Sequence, residues 1–243
     1  MHKILLVSVG GSPQPILTTI KTLQPDRVIF ICSDGAKGSK SQIIGKGTPC
    51  EIRKGEEVKK LPNIPTHLGL SNFQPDTDIL LIQNPDDLGE CYCLISSTIR
   101  KLKQDFHKCQ ILADYTGGTK TMSAALAMVG IDYDINLYVT TNTTRENLFR
   151  VERGEATERT STTAIAVERK IEQFLPLLLQ QYNYAGAIAE LNNLLQLELP
   201  SEAKQRIRIL RDCCIGFDAW DRFAHADAWD STPESIKHQE FYS

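Results

Sequence analysis

Gln110-Ile111-Leu112-Ala113-Asp114-Tyr115-Thr116-Gly117-Gly118-Thr119-Lys120-Thr121-Met122-Ser123 passes from a short apolar run, through a polar glycine turn, into an alanine-rich stretch that reaches residue 133. By periodicity this is a buried strand, a tight loop and a helix, one βα unit. Residues 4–9, 28–32, 79–82 and 135–139 are further apolar runs with little polar alternation, as in strands covered on both faces. Residues 15–23 and 89–106 have helical spacing between them. Strand–helix alternation with short loops predicts an α/β fold, a Rossmann-like parallel sheet flanked by helices.

The texture changes from about residue 161. Residues 164–181, 184–197 and 201–217 predict three helices, and residues 219–229 a further short one. Residues 151–163, rich in charge and threonine, predict a hairpin or an extended linker. The expected division is an α/β domain over 1–160 and a smaller all-helical segment over 161–243.

Composition narrows the function classes. The 243 residues are 41% apolar with 15 glycines, ordinary for a globular chain and unlike a disordered or collagen-like one. No apolar run nears the ~18 residues of a membrane-spanning helix. The start of the chain reads as a strand rather than a signal peptide, and seven scattered cysteines fit reduced thiols, so a cytoplasmic location is expected. The net charge of -3 is an average over unlike parts. Residues 166–243 hold 8 basic and 12 acidic groups, which leaves 19 and 18 in residues 1–165. Within that larger part, residues 33–60 carry seven basic groups (Lys37, Lys40, Lys46, Arg53, Lys54, Lys59, Lys60) against four acidic. Broad nonspecific DNA or RNA binding is disfavoured, and an anionic ligand is expected in the first half.

Two glycine motifs follow predicted strands. Val7-Ser8-Val9-Gly10-Gly11-Ser12-Pro13-Gln14-Pro15 lets the backbone turn sharply near the start of a helix, where N–H groups face an anion. Ser12 and Gln14 can add neutral hydrogen bonds. A plain βα turn with a helix cap accounts for the same residues, and the full dinucleotide fingerprint is absent. In the second motif Gly117 and Gly118 expose backbone donors, the hydroxyls of Thr116, Thr119 and Thr121 cluster, and Lys120 places a point charge at a helix N-terminus. Together these make a phosphate cradle. The spacing is not that of a Walker A loop, which disfavours ATP hydrolysis.

On these two motifs the chain resembles the CARF domains, the CRISPR-associated Rossmann folds of type III immunity, over residues 1 to about 160. Gly216-Phe217-Asp218-Ala219-Trp220-Asp221-Arg222-Phe223-Ala224-His225 is similar to the helical segment that follows the CARF domain in one branch of these proteins. The resemblance implies a homodimer that binds cyclic oligoadenylate, with cyclic tetra-adenylate preferred, across its two-fold axis. It also implies a ring nuclease, which opens the ring without metal or cofactor by attack of a ribose 2′-OH on the adjacent phosphate. Lys120 would stabilise the developing charge while Ser12 and Thr116 position the ribose and phosphate. Gly10, Gly11, Gln14, Ser33, Asp34, Gly117, Gly118, Thr119, Thr121, Asn142 and Arg145, with Thr143, would contact the ligand. Neither motif holds a histidine, so any cleavage should be slow. A non-catalytic sensor acting on an effector through the helical tail is the alternative, and a nucleotide-dependent Rossmann enzyme outside CRISPR is a third reading.

Other features have bland explanations. Arg100 and His107 have the spacing of a HEPN nuclease pair but fall in the α/β region, and Arg222 and His225 are too close for it. No second nuclease signature appears, so the effector half is expected to be truncated or absent. Cys91-Tyr92-Cys93 and Cys213-Cys214 lack common zinc spacing and read as buried thiols. Asp86-Asp87 could hold magnesium or simply cap the following helix. Trp220, Phe223 and Trp229 read as core or dimer contacts.

Overall fold

Ile4, Leu5, Leu6 and Val7 are all fully buried, so successive side chains on both sides of one strand are covered. That strand, β1 (His2–Ser8), is the middle of the α/β domain. The computed structural model describes residues 2–35, 38–44, 50–54, 57–61, 63–141 and 156–231. The chain divides into two compact units, Met1–Thr160 and Ser161–Ser243.

In the first unit the strands are β1, β2 (Arg27–Ser33), β3 (Cys50–Lys54), β4 (Glu57–Leu61), β5 (Ile79–Ile82), β6 (Cys109–Asp114), β7 (Asn136–Thr141) and β8 (Ala156–Thr160). Six of them form one sheet in the order β5-β2-β1-β6-β7-β8. All pairs are parallel except the last, where Leu137 to Thr141 run against Thr160 to Ala156. The sheet is thus mostly parallel, as expected, with an antiparallel edge strand that lies within the segment expected as hairpin or linker. A basic loop was expected over residues 33–60. Instead the described residues hold a 3-10 turn (Ser39–Gln42) and the separate antiparallel hairpin of β3 and β4.

The helices of this unit are α1 (Gln14–Leu23), α2 (Ile64–Leu68), α3 (Pro75–Asp78), α4 (Leu88–Asp105) and α5 (Lys120–Asp132). One face of the sheet packs Leu5, Val7 and Phe30 against Ile16, Leu17 and Ile20 of α1. The other packs Ile4, Leu6 and Ile31 against Ile95 and Ile99 of α4 and Met122 and Leu126 of α5. Each such side chain contributes about 1.5–3 kcal/mol on burial. From β1 the chain crosses through α1 to β2 on one side, while β6 pairs with β1 on the other. The order therefore reverses between β1 and β6, and that is where open α/β sheets leave a crevice at their carboxyl ends.

The second unit is helical. It holds α6 (Thr163–Arg169), α7 (Leu175–Gln180), α8 (Tyr184–Leu195), α9 (Ser201–Asp221) and α10 (His225–Ser231). Val167, Ile171, Leu175, Leu191, Leu194 and Ile207 form its core. The helix predicted over 164–181 has a π turn at Lys170–Phe174. Pro176 lies just beyond it, and a proline that lacks an N–H and crowds the carbonyl four residues back favours such a widening. The short helix expected over 219–229 differs as well: α9 continues to Asp221, and Phe223, at φ 61°, breaks it from α10. Trp220, Phe223 and Trp229 are 63%, 83% and 63% exposed, so none belongs to the core. No described helix is long and apolar enough to cross a membrane.

Candidate functional site

The two glycine motifs occupy the loops after β1 and β6, neighbouring strands, and so meet at the switch point. They touch backbone to backbone. A Cβ on Gly117 would lie 2.4 Å from the Ser8 carbonyl oxygen and 3.0 Å from the Gly10 nitrogen. A Cβ on Gly10 would lie 2.7 Å from the Gly118 nitrogen. Ser8 Oγ donates to the Gly117 carbonyl at 2.7 Å, and Ser123 Oγ donates to the same oxygen at 2.6 Å. Gly118 turns at φ 87°, a conformation that favours glycine. These glycines were expected to bring backbone close to a ligand; in the structure they bring the two loops close to one another.

Thr119 caps α5. Its Oγ1 accepts from Met122 N at 3.1 Å and donates to the Pro85 carbonyl at 2.7 Å, which ties in the loop between β5 and α4. That hydroxyl is committed on both sides. Thr116 Oγ1 accepts from Thr140 N at 2.7 Å. Lys120, the first residue of α5, is exposed, and Thr121 follows half-buried. Ser123 N donates to Thr119 O. Of the first four N–H groups of α5, those of Lys120 and Thr121 therefore have no acceptor among the described residues. Gly11 is exposed, Ser12 and Gln14 are half-buried, and α1 begins at Gln14. Two helix N-termini, each a partial positive charge, thus open at the same edge of the sheet.

Ser33 and Asp34 stand beside them at the carboxyl end of β2. Ser33 exchanges hydrogen bonds with Ser39, its N–H donating to Ser39 Oγ and its Oγ accepting from Ser39 N, both at 3.1 Å. Asp34 donates its backbone N–H to Ile82 O at 3.1 Å, and its side chain is exposed. Asn142, Thr143 and Arg145 lie outside the described residues, as do Lys37 and Lys46.

Sequence reading missed the buried part of the site. Asp114, 1% exposed at the end of β6, accepts from Thr116 N at 2.7 Å and from the hydroxyls of Thr19 and Thr140. Burial pushes its carboxyl above the ordinary value, and the hydrogen bonds from Thr116, Thr19 and Thr140 oppose that rise. An ionisable residue at the end of a strand covered on both faces was the available signal, since such a group must find partners.

The alternatives weighed from sequence resolve simply. Asp87 Oδ1 accepts from Glu90 N at 2.9 Å and caps α4. Cys91 is buried and Cys93 exposed on α4, while on α9 burial pushes the Cys214 thiol up to about 11. Arg100 lies within α4 and His107 beyond its end.

No family model and no curated protein sequence matches the chain. Among solved structures it is similar to Csm6 of Enterococcus italicus, a CARF-domain protein, bound to cyclic hexa-2′-fluoro-hexa-dAMP. The TM-score is 0.55 at 14% identity, over 87% of this chain and 53% of that one. Can2 of Sulfobacillus thermosulfidooxidans, in complex with cyclic tetra-adenylate, gives a TM-score of 0.37 at 13% identity over 93% of this chain and 68% of that one. Protein VC1899 of Vibrio cholerae gives 0.42 at 11% identity over 94% and 58%. Those two superpose too loosely to bear on the fold. This chain spans about half the length of the Csm6 it matches. Sheet order, flanking helices and the Csm6 likeness together give a Rossmann-like fold, a mostly parallel sheet between helices, followed by a helical region.

Proposed function

We propose that the chain is a cytoplasmic cyclic oligoadenylate-binding protein of type III CRISPR immunity, working as a homodimer and slowly cleaving its ligand without a metal ion. The observation that carries this reading is the backbone contact of the two glycine loops at the switch point, beside the starts of α1 and α5, with Lys120 exposed as the first residue of α5. A ring of phosphodiesters is a symmetric polyanion, and two copies of this edge offer it two symmetric cradles. The α5 helix supports pairing of copies. It is apolar on nearly every side, and its outward Ala124 and Met128 are exposed. Helices apolar all round are ordinarily covered. The CARF-type fold, and the cyclic hexanucleotide bound to Csm6, favour the same ligand class. Cyclic tetra-adenylate is the expected ring.

In the reaction the ribose 2′-oxygen forms a bond to the adjacent phosphorus as the bond from phosphorus to the 5′-oxygen breaks. The 2′-hydroxyl proton leaves to water and the 5′-oxygen takes one from water, giving a 2′,3′-cyclic phosphate and a 5′-hydroxyl. Lys120 and the α5 N–H groups would face the developing charge. Ser12 and the Thr116 hydroxyl would hold the ribose and phosphate in line.

A second reading, a sensor without turnover, has its own support. The loop carboxylate Asp114 is buried and fully engaged, so it cannot serve as a general base. Incubation with cyclic tetra-adenylate and cyclic hexa-adenylate, with and without EDTA, separates the readings. Linear products in EDTA support cleavage, tight binding without turnover supports the sensor, and failure of both rings to bind refutes both. Lys120→Ala should weaken binding about 10–100-fold, as for a lost charge-assisted contact, at unchanged melting temperature. Normal cleavage by that variant would remove Lys120 from its role.

A further inference from the structure

We infer that Asp114 is a positioning residue of the cradle, holding Thr116 by its backbone N–H directly and by its hydroxyl through Thr140. This rests on the function proposed above. Asp114 Oδ1 accepts from Thr116 N at 2.7 Å, a side-chain turn that closes the first step of the loop. Its Oδ2 accepts from Thr19 Oγ1 of α1 and from Thr140 Oγ1 of β7, the latter at 3.3 Å. Thr19 Oγ1 lies 2.6 Å from Thr140 Oγ1, which lies 2.9 Å from Thr157 Oγ1 of β8.

A carboxylate only accepts, so Thr19 gives it the one proton of its hydroxyl, and Thr140 places its own on Asp114 Oδ2 or on Thr19 Oγ1. Thr140 also gives its backbone N–H to Thr116 Oγ1 at 2.7 Å. One carboxylate thereby reaches both polar groups of Thr116, the backbone N–H directly and the hydroxyl through Thr140. Packing alone does not call for this arrangement. The space between α1 and the sheet is otherwise filled by Leu5, Val7, Ile16 and Ile20, and a well-packed apolar residue commonly replaces a buried charge at no loss of stability. What an apolar residue could not do is hold Thr116.

Four proteins test the assignment: the wild-type chain, Asp114→Ala, Asp114→Asn and Thr19→Val. Asparagine retains an acceptor for Thr116 N, whereas Thr19→Val damages the network without touching the loop. Each is measured by hydrogen exchange of peptides spanning residues 114–119 without ligand, by affinity for cyclic tetra-adenylate, and by melting temperature. Asp114→Ala should speed exchange and weaken the ring about tenfold, the effect of one lost hydrogen bond. Asp114→Asn should stay near wild type on both. Thr19→Val should melt lower yet exchange and bind normally. Unchanged exchange in Asp114→Ala, or ring affinity lost equally in Thr19→Val, would overturn the inference. If the wild-type chain binds no ring, the proposed function fails while the exchange comparison still decides the role of Asp114. Should Asp114→Ala not fold, Asp114→Glu displaces the acceptor by one methylene and takes its place.

Discussion

Gly117→Ala probes the contact on which the site is built. The added methyl would sit 2.4 Å from the Ser8 carbonyl oxygen, a backbone atom at the buried end of β1 that cannot retreat. The loop after β6 must therefore lift by roughly 1 Å to reach ordinary van der Waals separation. Overpacking of that kind costs about 1–3 kcal/mol. Lifting also stretches the hydrogen bonds from Ser8 and Ser123 to the Gly117 carbonyl, now 2.7 and 2.6 Å, each worth about 1 kcal/mol. A total near 3 kcal/mol corresponds to a fall in melting temperature of roughly 6–12 °C for a unit of this size. Thermal unfolding followed by circular dichroism measures it. Gly89→Ala is the internal control, since its methyl would meet only the Asp87 carboxylate oxygen that caps α4, at 3.3 Å, a side-chain atom that has to give by only a few tenths of an ångström. Alanine is the better helix former there, so that variant should melt at or slightly above wild type. If Gly117→Ala melts with Gly89→Ala, the two loops are not in backbone contact and the cradle is not one rigid object.

Two further outcomes are expected. Thr119→Val removes the α5 cap and the tie to Pro85, costing about 1–2 kcal/mol, and Thr119→Ser should restore most of it, as read by urea midpoints. Asp114 should impose a pH dependence on stability: its folded pKa is raised, so its contribution is most favourable below the ordinary carboxyl value of 3.8 and is lost as pH rises through the folded value. Urea midpoints of wild type against Asp114→Asn should diverge in favour of the variant from pH 4 upward, and parallel curves would refute the raised pKa.

The central strands were legible because both their faces are covered, which leaves runs such as Ile4-Leu5-Leu6-Val7 with no polar alternation to confuse the period. β8 was not. Ala156-Thr157-Glu158-Arg159-Thr160 is a polar strand at the sheet edge, and only its pairing with β7 makes it a strand. The place of the glycine loop between β6 and α5 was legible from strand, glycine and helix in sequence. The division of labour among its threonines was not, because spacing does not say which hydroxyl turns inward. Thr119 is consumed by Pro85 and Met122, whereas Thr116 accepts from Thr140 N and is held beside Asp114. Thr19 and Thr157 lie far from the motif in sequence, and Asp114 gathers them only through the fold.

If copies pair as proposed, the edges of the sheet decide how they can meet. At one end β5 is only four residues long. At the other, β8 presents exposed Glu158 and Arg159. A short edge and a charged edge both resist the addition of a foreign strand. A second copy is thereby steered away from extending the sheet and toward the helical layers, where α5 runs directly from the glycine loop. Any partner seated on α5 would sense the loop through a single rigid helix, and the ring and the partner would then share one mechanical element.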